Sequence, residues 1–281
     1  MGTLYLVATP IGNLEDISAR ALRLLGQVRL IAAEDTRHTH KLLEHFKIQT
    51  PMTSYHEHNK LTKLDEVLAV LERGDVALVS DAGMPGLNDP GYELIKAVIA
   101  AGYPVSPVPG PSAPISALVA SGLPTDAFVY LGYLPRKTAE RRRLLSEVAV
   151  LRYTLIFLES PHRLLAALQD LLEVLGDRPM AVARELTKLY EEIYRGRISQ
   201  ALAYFSGQPL RGEFTLVIGG REPVQERWNE AQLRLLIHES LEKGDSPSKI
   251  AADLADLSAW PRRSIYRMVM EISKEDLDEP G

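Results

Sequence analysis

The chain contains no cysteine, no apolar run approaching the ~20 residues that cross a bilayer, and neither of the glycine signatures GxGxxG and GxxxxGK[ST]. Without cysteine there are no disulfides, no thiolate metal sites and no cysteine nucleophile. The chain suits a reducing compartment, and a cytoplasmic protein is expected. The missing glycine patterns argue against a P-loop or a dinucleotide-binding turn. The opening MGTLYLVATPIGN lacks a basic segment, a long apolar stretch and a small-residue cleavage site, so no secretion signal is expected. A positive surplus is lacking too. With 32 Lys and Arg against 37 Asp and Glu, any nucleic-acid partner must be met by local basic patches.

What is present is an ordinary globular composition in 281 residues, more than the ~100 to 200 usual for one domain. LYLVA (4–8), LIAAE (30–34) and VALVS (76–80) read as buried strands. Between them, helical spacing places Ile17, Ala21, Leu24 and Leu25, then Leu64, Val67, Leu68 and Leu71, on single faces. Asp89 with Pro90 can open a helix that Gly102 ends, and Ser112 can cap another that Gly122 ends. Strand and helix therefore alternate over 1–122, which predicts a mostly parallel sheet. A second α/β domain is expected over 123–222, from FVYLGY (128–133) through TLIFLE (154–159) and MAVARE (180–185) to FTLVIGG (214–220). Beyond it the pattern is helical, and 223–281 is expected to be a helix-turn-helix-like extension. Its first helix is 247–257, its turn holds Ser258 and Trp260, and its second helix presents Arg262, Arg263, Tyr266 and Arg267.

Open α/β sheets bind ligands at the carboxyl ends of their strands, where helix amides and loop side chains converge. Four such turns are rich in Gly, Pro or small polar residues: ATPIGN (8–13), AAEDTRHTH (32–40), SDAGMPGLNDPG (80–91) and PGPSA (109–113). Any one of them could be a turn and nothing more, with Asp81 capping amides and Pro85 stiffening a loop. Together they point to one ligand cleft.

ATPIGN, SDAGMPGLNDPG and PGPSA, in this order after parallel strands, resemble the S-adenosylmethionine (SAM)-dependent tetrapyrrole methylase family. With AAEDTRHTHKLL, TLIFLESPHR, ARELTK and RGEFTLVIGG, nearly the whole chain is similar to the branch that methylates a cytidine 2′-hydroxyl in small-subunit (16S) ribosomal RNA. The resemblance implies two α/β domains with SAM in the cleft between them, often in a homodimer. It also implies cofactor contacts from Pro10, Ile11, Asp81, Gly83, Met84, Ser112, Ala113, Glu159 and Leu186. Glu159 stands where many relatives have methionine, and this departs from the tetrapyrrole enzymes.

A sulfonium methyl is already activated, so the protein must chiefly align the acceptor, but a ribose hydroxyl also needs a base or a cation. Glu34, Asp35, Arg37 and His38 lie on one strand-end turn, Glu159, His162 and Arg163 on another, and Arg184, Glu185 and Lys188 on a third. Each carboxylate could equally be paired with its basic neighbour. Glu185 and Lys188 are the catalytic candidates, Lys188 as base or as cationic anchor. The pairs His38/His40 and His56/His58 converge only on a strand face and lack an obvious third ligand, so no metal is expected. PRKTAERRR (135–143) carries Arg136, Lys137, Arg141, Arg142 and Arg143 against Glu140, and phosphate contact would explain the excess. Arg262, Arg263 and Arg267 form a second patch, which a dimerisation or docking element would match as well. Two other readings stay open: a methylase of a tetrapyrrole or protein residue, and a non-enzymatic RNA-binding protein on the same fold.

Overall fold

The structure, a computed structural model, describes residues 1–56, 60–89, 91–222 and 228–278. Pro90 and His58 lie outside the described residues. The chain divides into two compact units, Met1–Arg221 and Glu222–Gly281.

The first half of the larger unit alternates strictly: β1 (Leu4–Val7), α1 (Ala19–Leu25), β2 (Leu30–Ala33), α2 (Thr36–His45), β3 (Met52–Ser54), α3 (Lys60–Leu71), β4 (Val76–Val79), α4 (Gly91–Ala100), β5 (Val105–Val108) and α5 (Ala113–Ser121). The five strands form one parallel sheet in the order β3-β2-β4-β1-β5. β2 and β4 are buried along their whole length because helices cover both faces, which is why they read as unbroken apolar runs. Ser18 and Asp35 cap α1 and α2 by accepting the amides of Ala21 and Arg37 at 3.1 and 2.8 Å. The stretch expected to be one long turn after β2 instead enters α2 at Thr36, and β3 follows it. Asp35 is the reason, since its carboxylate meets the helix amides that a turn would leave open.

The second half holds β6 (Phe128–Tyr133), α6 (Thr138–Val148), β7 (Thr154–Glu159), α7 (Leu164–Leu175), β8 (Pro179–Arg184), β9 (Glu192–Arg197), α8 (Ile198–Ser206) and β10 (Phe214–Ile218). Its sheet runs β6-β7-β10-β8-β9, parallel only between β6 and β7 and antiparallel elsewhere. α6, α7 and α8 cover one face around Phe157, Phe205 and Leu168. The other face is covered by α5, whose Ala117 and Leu118 pack with Ile11, Leu186, Ile156, Ala181 and Val217. This helix belongs to the first half by sequence and completes the core of the second, which joins both sheets in one unit.

The smaller unit comprises α9 (Glu230–Glu242), α10 (Pro247–Ser258) and α11 (Arg262–Asp278). Leu233, Ile237, Ile250, Leu254, Ile265, Val269 and Ile272 make its own core. The α10–α11 turn passes through Ala259 at φ 56°, and the indole of Trp260 donates to the Trp228 carbonyl at 2.6 Å. Arg262, Arg263, Tyr266 and Arg267 are exposed on α11.

Candidate functional site

All four small-residue turns leave the same edge of the parallel sheet, because each follows the carboxyl end of a parallel strand. Backbone bonds stitch two of them together: Thr9 and Gly83 exchange amide-to-carbonyl bonds of 2.9 and 3.0 Å, and the Thr9 hydroxyl donates to the Ser80 carbonyl at 3.1 Å. Gly83 has φ 78°, so the bend depends on glycine there. Farther along the loop, Asn88 at φ 63° accepts from the Tyr130 hydroxyl at 2.6 Å, and its side chain fills the space where Gly132 lacks a Cβ. Gly132 sits in an irregularity of β6, so this loop is latched to the second sheet.

Two cavities flank the stitched turns. One, of about 590 Å³, is lined among others by Pro10, Ile11, His38, Lys41, Asp81 and Lys188. A smaller one, of about 140 Å³, is lined by Ile11, Gly83, Met84, Ser112, Ala113, Tyr130, Tyr133, Glu159, Phe214 and others. Ile11, Ala82 and Glu213 wall both. The structure thus gathers eight of the nine expected cofactor residues around a shared wall. Leu186 is the exception, buried in the apolar seam beside Ile11 and lining neither cavity. Ser112 occupies the N-cap position of α5, but its side chain makes no capping bond, contrary to the expected cap.

Asp81 is already engaged in part, since its Oδ1 accepts the Asp35 amide at 3.1 Å while its own amide donates to Glu34 Oε2 at 3.3 Å. Burial pushes the Glu34 carboxyl above its usual range, and the charges of Asp81, Asp89 and Asp35 add to that against the hydrogen bond from the Asp81 amide. Asp35 is held well below the ordinary range by its hydrogen bonds from Arg37, whose guanidinium lies 2.7 Å away.

The catalytic candidates meet as expected for a pair. Lys188 Nζ lies 2.8 Å from Glu185 Oε1 and 3.2 Å from Glu213 Oε2. Glu185 and Thr187 both have positive φ, 51° and 65°, in the tight β8–β9 connection. Burial opposes both charges, but the Lys188 hydrogen bond and the Glu213 amide hold Glu185 below its usual range, and the two carboxylates hold Lys188 above its own. Lys188 is therefore a cation. Glu185 lines neither cavity.

The basic stretch comes apart in the fold. Arg141 is 3% exposed, donates to Asp170 Oδ2 at 2.6 Å and also reaches the Pro135 and Arg136 carbonyls, so it is a packing residue and no part of a surface patch. Arg142 is exposed but pairs with Asp170 and Glu173. Arg136, Lys137 and Arg143 remain at the surface, with Lys137 and Arg143 beside Glu140 and Glu147. A third, open groove of about 600 Å³ combines Arg136 and Arg163 with Tyr133, His162 and Ser160. Burial pushes the Tyr133 phenol up, with the Glu213, Glu159 and Glu34 charges adding, so it stays a hydrogen-bond donor. The sequence did not single out Tyr130, Tyr133 or Glu213; their place at strand ends facing the cleft depends on which face each strand presents.

The profile of a family described as Tetrapyrrole (Corrin/Porphyrin) Methylases matches residues 3–202. Among curated proteins the chain is similar to the ribosomal RNA small subunit methyltransferase I of Synechocystis, 48% identical over 278 residues that cover 98% of this chain and all of the relative. The protein of the same name from Thermotoga maritima is 48% identical over 223 residues, all of its length and 79% of this chain. A uroporphyrin-III C-methyltransferase of Thermus thermophilus, solved with S-adenosyl homocysteine, superposes with a TM-score of 0.53 at 22% identity, covering 78% of this chain and 97% of its own, which speaks for the fold.

Proposed function

The chain belongs to the tetrapyrrole methylase family and, within it, to the ribosomal RNA small subunit methyltransferase I proteins, and we propose that its cleft methylates a cytidine 2′-hydroxyl of 16S ribosomal RNA. It is a SAM-dependent rRNA methyltransferase. The carrying observation is the pair of cavities that share Ile11, Ala82 and Glu213. The residues present fit SAM: Gly83 and the Ser112–Ala113 turn let backbone approach a nucleoside, Met84, Leu158 and Phe214 give apolar walls, and Ser112 and Asp81 supply polar ends. SAM supplies a methyl group on a positively charged sulfur. The chain's own residues then hold the acceptor beside it and exclude water.

In this reading Lys188 is a cationic anchor, for the acceptor strand or the forming oxyanion, because two carboxylates keep it protonated. Glu185 positions Lys188. The groove of Tyr133, Arg136, His162 and Arg163 carries the RNA strand by stacking and phosphate contact, with Lys137, Arg142 and Arg143 at its approach. Arg262, Arg263 and Arg267 form a second phosphate-binding face on α11. We place the protein in the cytoplasm as a homodimer acting on the small ribosomal subunit. Exposed Ile115, Val119, Leu189 and Tyr190 offer apolar surface for the dimer contact.

The test uses methyl-labelled SAM and unmodified small subunits, followed by digestion of the RNA and mass spectrometry of the nucleosides. Label on the ribose of a cytidine is the expected result. Label on a base, or none on RNA while SAM binds, would discard the reading.

A further inference from the structure

Resting on that reading, we propose that Glu159 is the base that takes the proton from the acceptor hydroxyl. Its side chain is buried at the end of β7, and one carboxylate oxygen is fully engaged. Oε1 accepts the Ser160 amide and hydroxyl at 2.7 and 3.3 Å and pairs with the Arg163 guanidinium at 2.6 Å. Arg163 is itself fixed, donating to the Ser160 hydroxyl and the Leu134 carbonyl at 3.1 and 3.0 Å. Oε2 is buried and has no hydrogen-bond partner among the described residues. An unmatched buried carboxylate oxygen is costly, and a group with an O–H or N–H brought to it would relieve that cost.

Position selects the hydroxyl. Glu159 lines the smaller cavity with Ser112, Ala113 and Met84, while the two residues that hold it, Ser160 and Arg163, line the basic groove. Tyr133 walls both. A carboxylate at this junction lies between the cavity assigned to the cofactor and the groove assigned to the acceptor strand. Asp81, Glu34, Glu185 and Glu213 also line or border the cleft, but among the described residues none of them has a buried carboxylate oxygen without a hydrogen-bond partner. The hydroxyl oxygen uses a lone pair to bond the methyl carbon as the carbon–sulfur bond breaks and its electron pair goes to sulfur. The hydroxyl proton passes to Glu159 Oε2. Products are the methyl ether, S-adenosylhomocysteine and a neutral Glu159 that returns its proton to solvent.

Glu159→Gln and Glu159→Asp test this in the full chain, with single-turnover methylation of small subunits and calorimetric titration with SAM. Glutamine should slow transfer by about 10² to 10⁴, the range of general base catalysis, while SAM Kd stays within about threefold. Aspartate should retain SAM affinity and exceed the glutamine rate by about tenfold or more. Because SAM binding certifies the fold, the aspartate variant carries the comparison if the glutamine variant does not fold. A SAM Kd that weakens in step with the rate would make Glu159 a cofactor contact and overturn the assignment, as would an unimpaired glutamine variant. If wild-type protein itself leaves the RNA unlabelled, the rRNA reading falls and takes this assignment with it.

Discussion

Arg141 stands in PRKTAERRR as one of five positive charges, and nothing in the string separates it from Arg143. The fold does, because position 141 faces α7 and Asp170 while position 143 faces solvent. In Arg141→Ala, Arg142 still holds Asp170 Oδ1 while Oδ2 and the Pro135 and Arg136 carbonyls lose their donor, so the change should cost about 2 to 3 kcal/mol in urea unfolding. Arg143→Ala should stay within about 0.5 kcal/mol. Glu34 gives a second test at this scale. Its folded carboxyl is raised, so its contribution to stability is present in acid and lost as pH rises through that raised value. Glu34→Gln, which still accepts from the Asp81 amide, should raise Tm at neutral pH and lose that advantage in acid. Calorimetric scans at both pH values decide it.

At the scale of elements, β1, β2, β4 and the helices α1, α3, α4 and α5 were legible because these strands are short apolar runs and amphipathic helices repeat every 3.6 residues, whereas the short, half-polar β3 and β5 were not read as strands. Nor was α2 legible, since THKLLEH carries few apolar residues and histidines that read as loop; only the Asp35 cap signals a helix start. α8 was missed for a related reason, lying directly after β9 with no turn residue between. Cavity residues on the turns, such as Gly83 and Ser112, could be found by composition. Glu159 was reached through the family resemblance, whereas Tyr133 is placed only by register, through its pairing with Leu158 beyond the irregularity of β6. The exposed part of α6 and its approach makes its own prediction. Changing Arg136, Lys137 and Arg143 together to alanine should weaken RNA binding and reduce the slope of log affinity against log salt by about 2 to 3, measured by titration at several ionic strengths.

At the scale of the molecule, the helical unit is built around its own core and the two sheets around theirs. The Thermotoga maritima relative matches this chain over only 223 residues, its whole length, so a chain of that size is a complete protein elsewhere. A truncation after Arg221 should therefore remain folded and bind SAM within about threefold of the full chain. If α11 grips RNA backbone, the same truncation should lose about tenfold or more in affinity for small subunits, with a shallower salt dependence. Equal affinity would make the helical unit a docking or dimerisation element.

The Asn88 latch also has a temporal meaning. The loop from Ser80 to Asp89 walls both cavities, is joined to the β1 turn through Gly83 and is held to β6 through Asn88. Its release requires the Asn88–Tyr130 bond, the Thr9–Gly83 backbone pair, the Thr9 hydroxyl bond to Ser80 and the Asp81 bonds to Asp35 and Glu34 all to open. Asn88→Ala is expected to raise the hydrogen-exchange rate of the Gly83 amide and to shorten the residence of S-adenosylhomocysteine, measured by exchange and by stopped-flow dissociation.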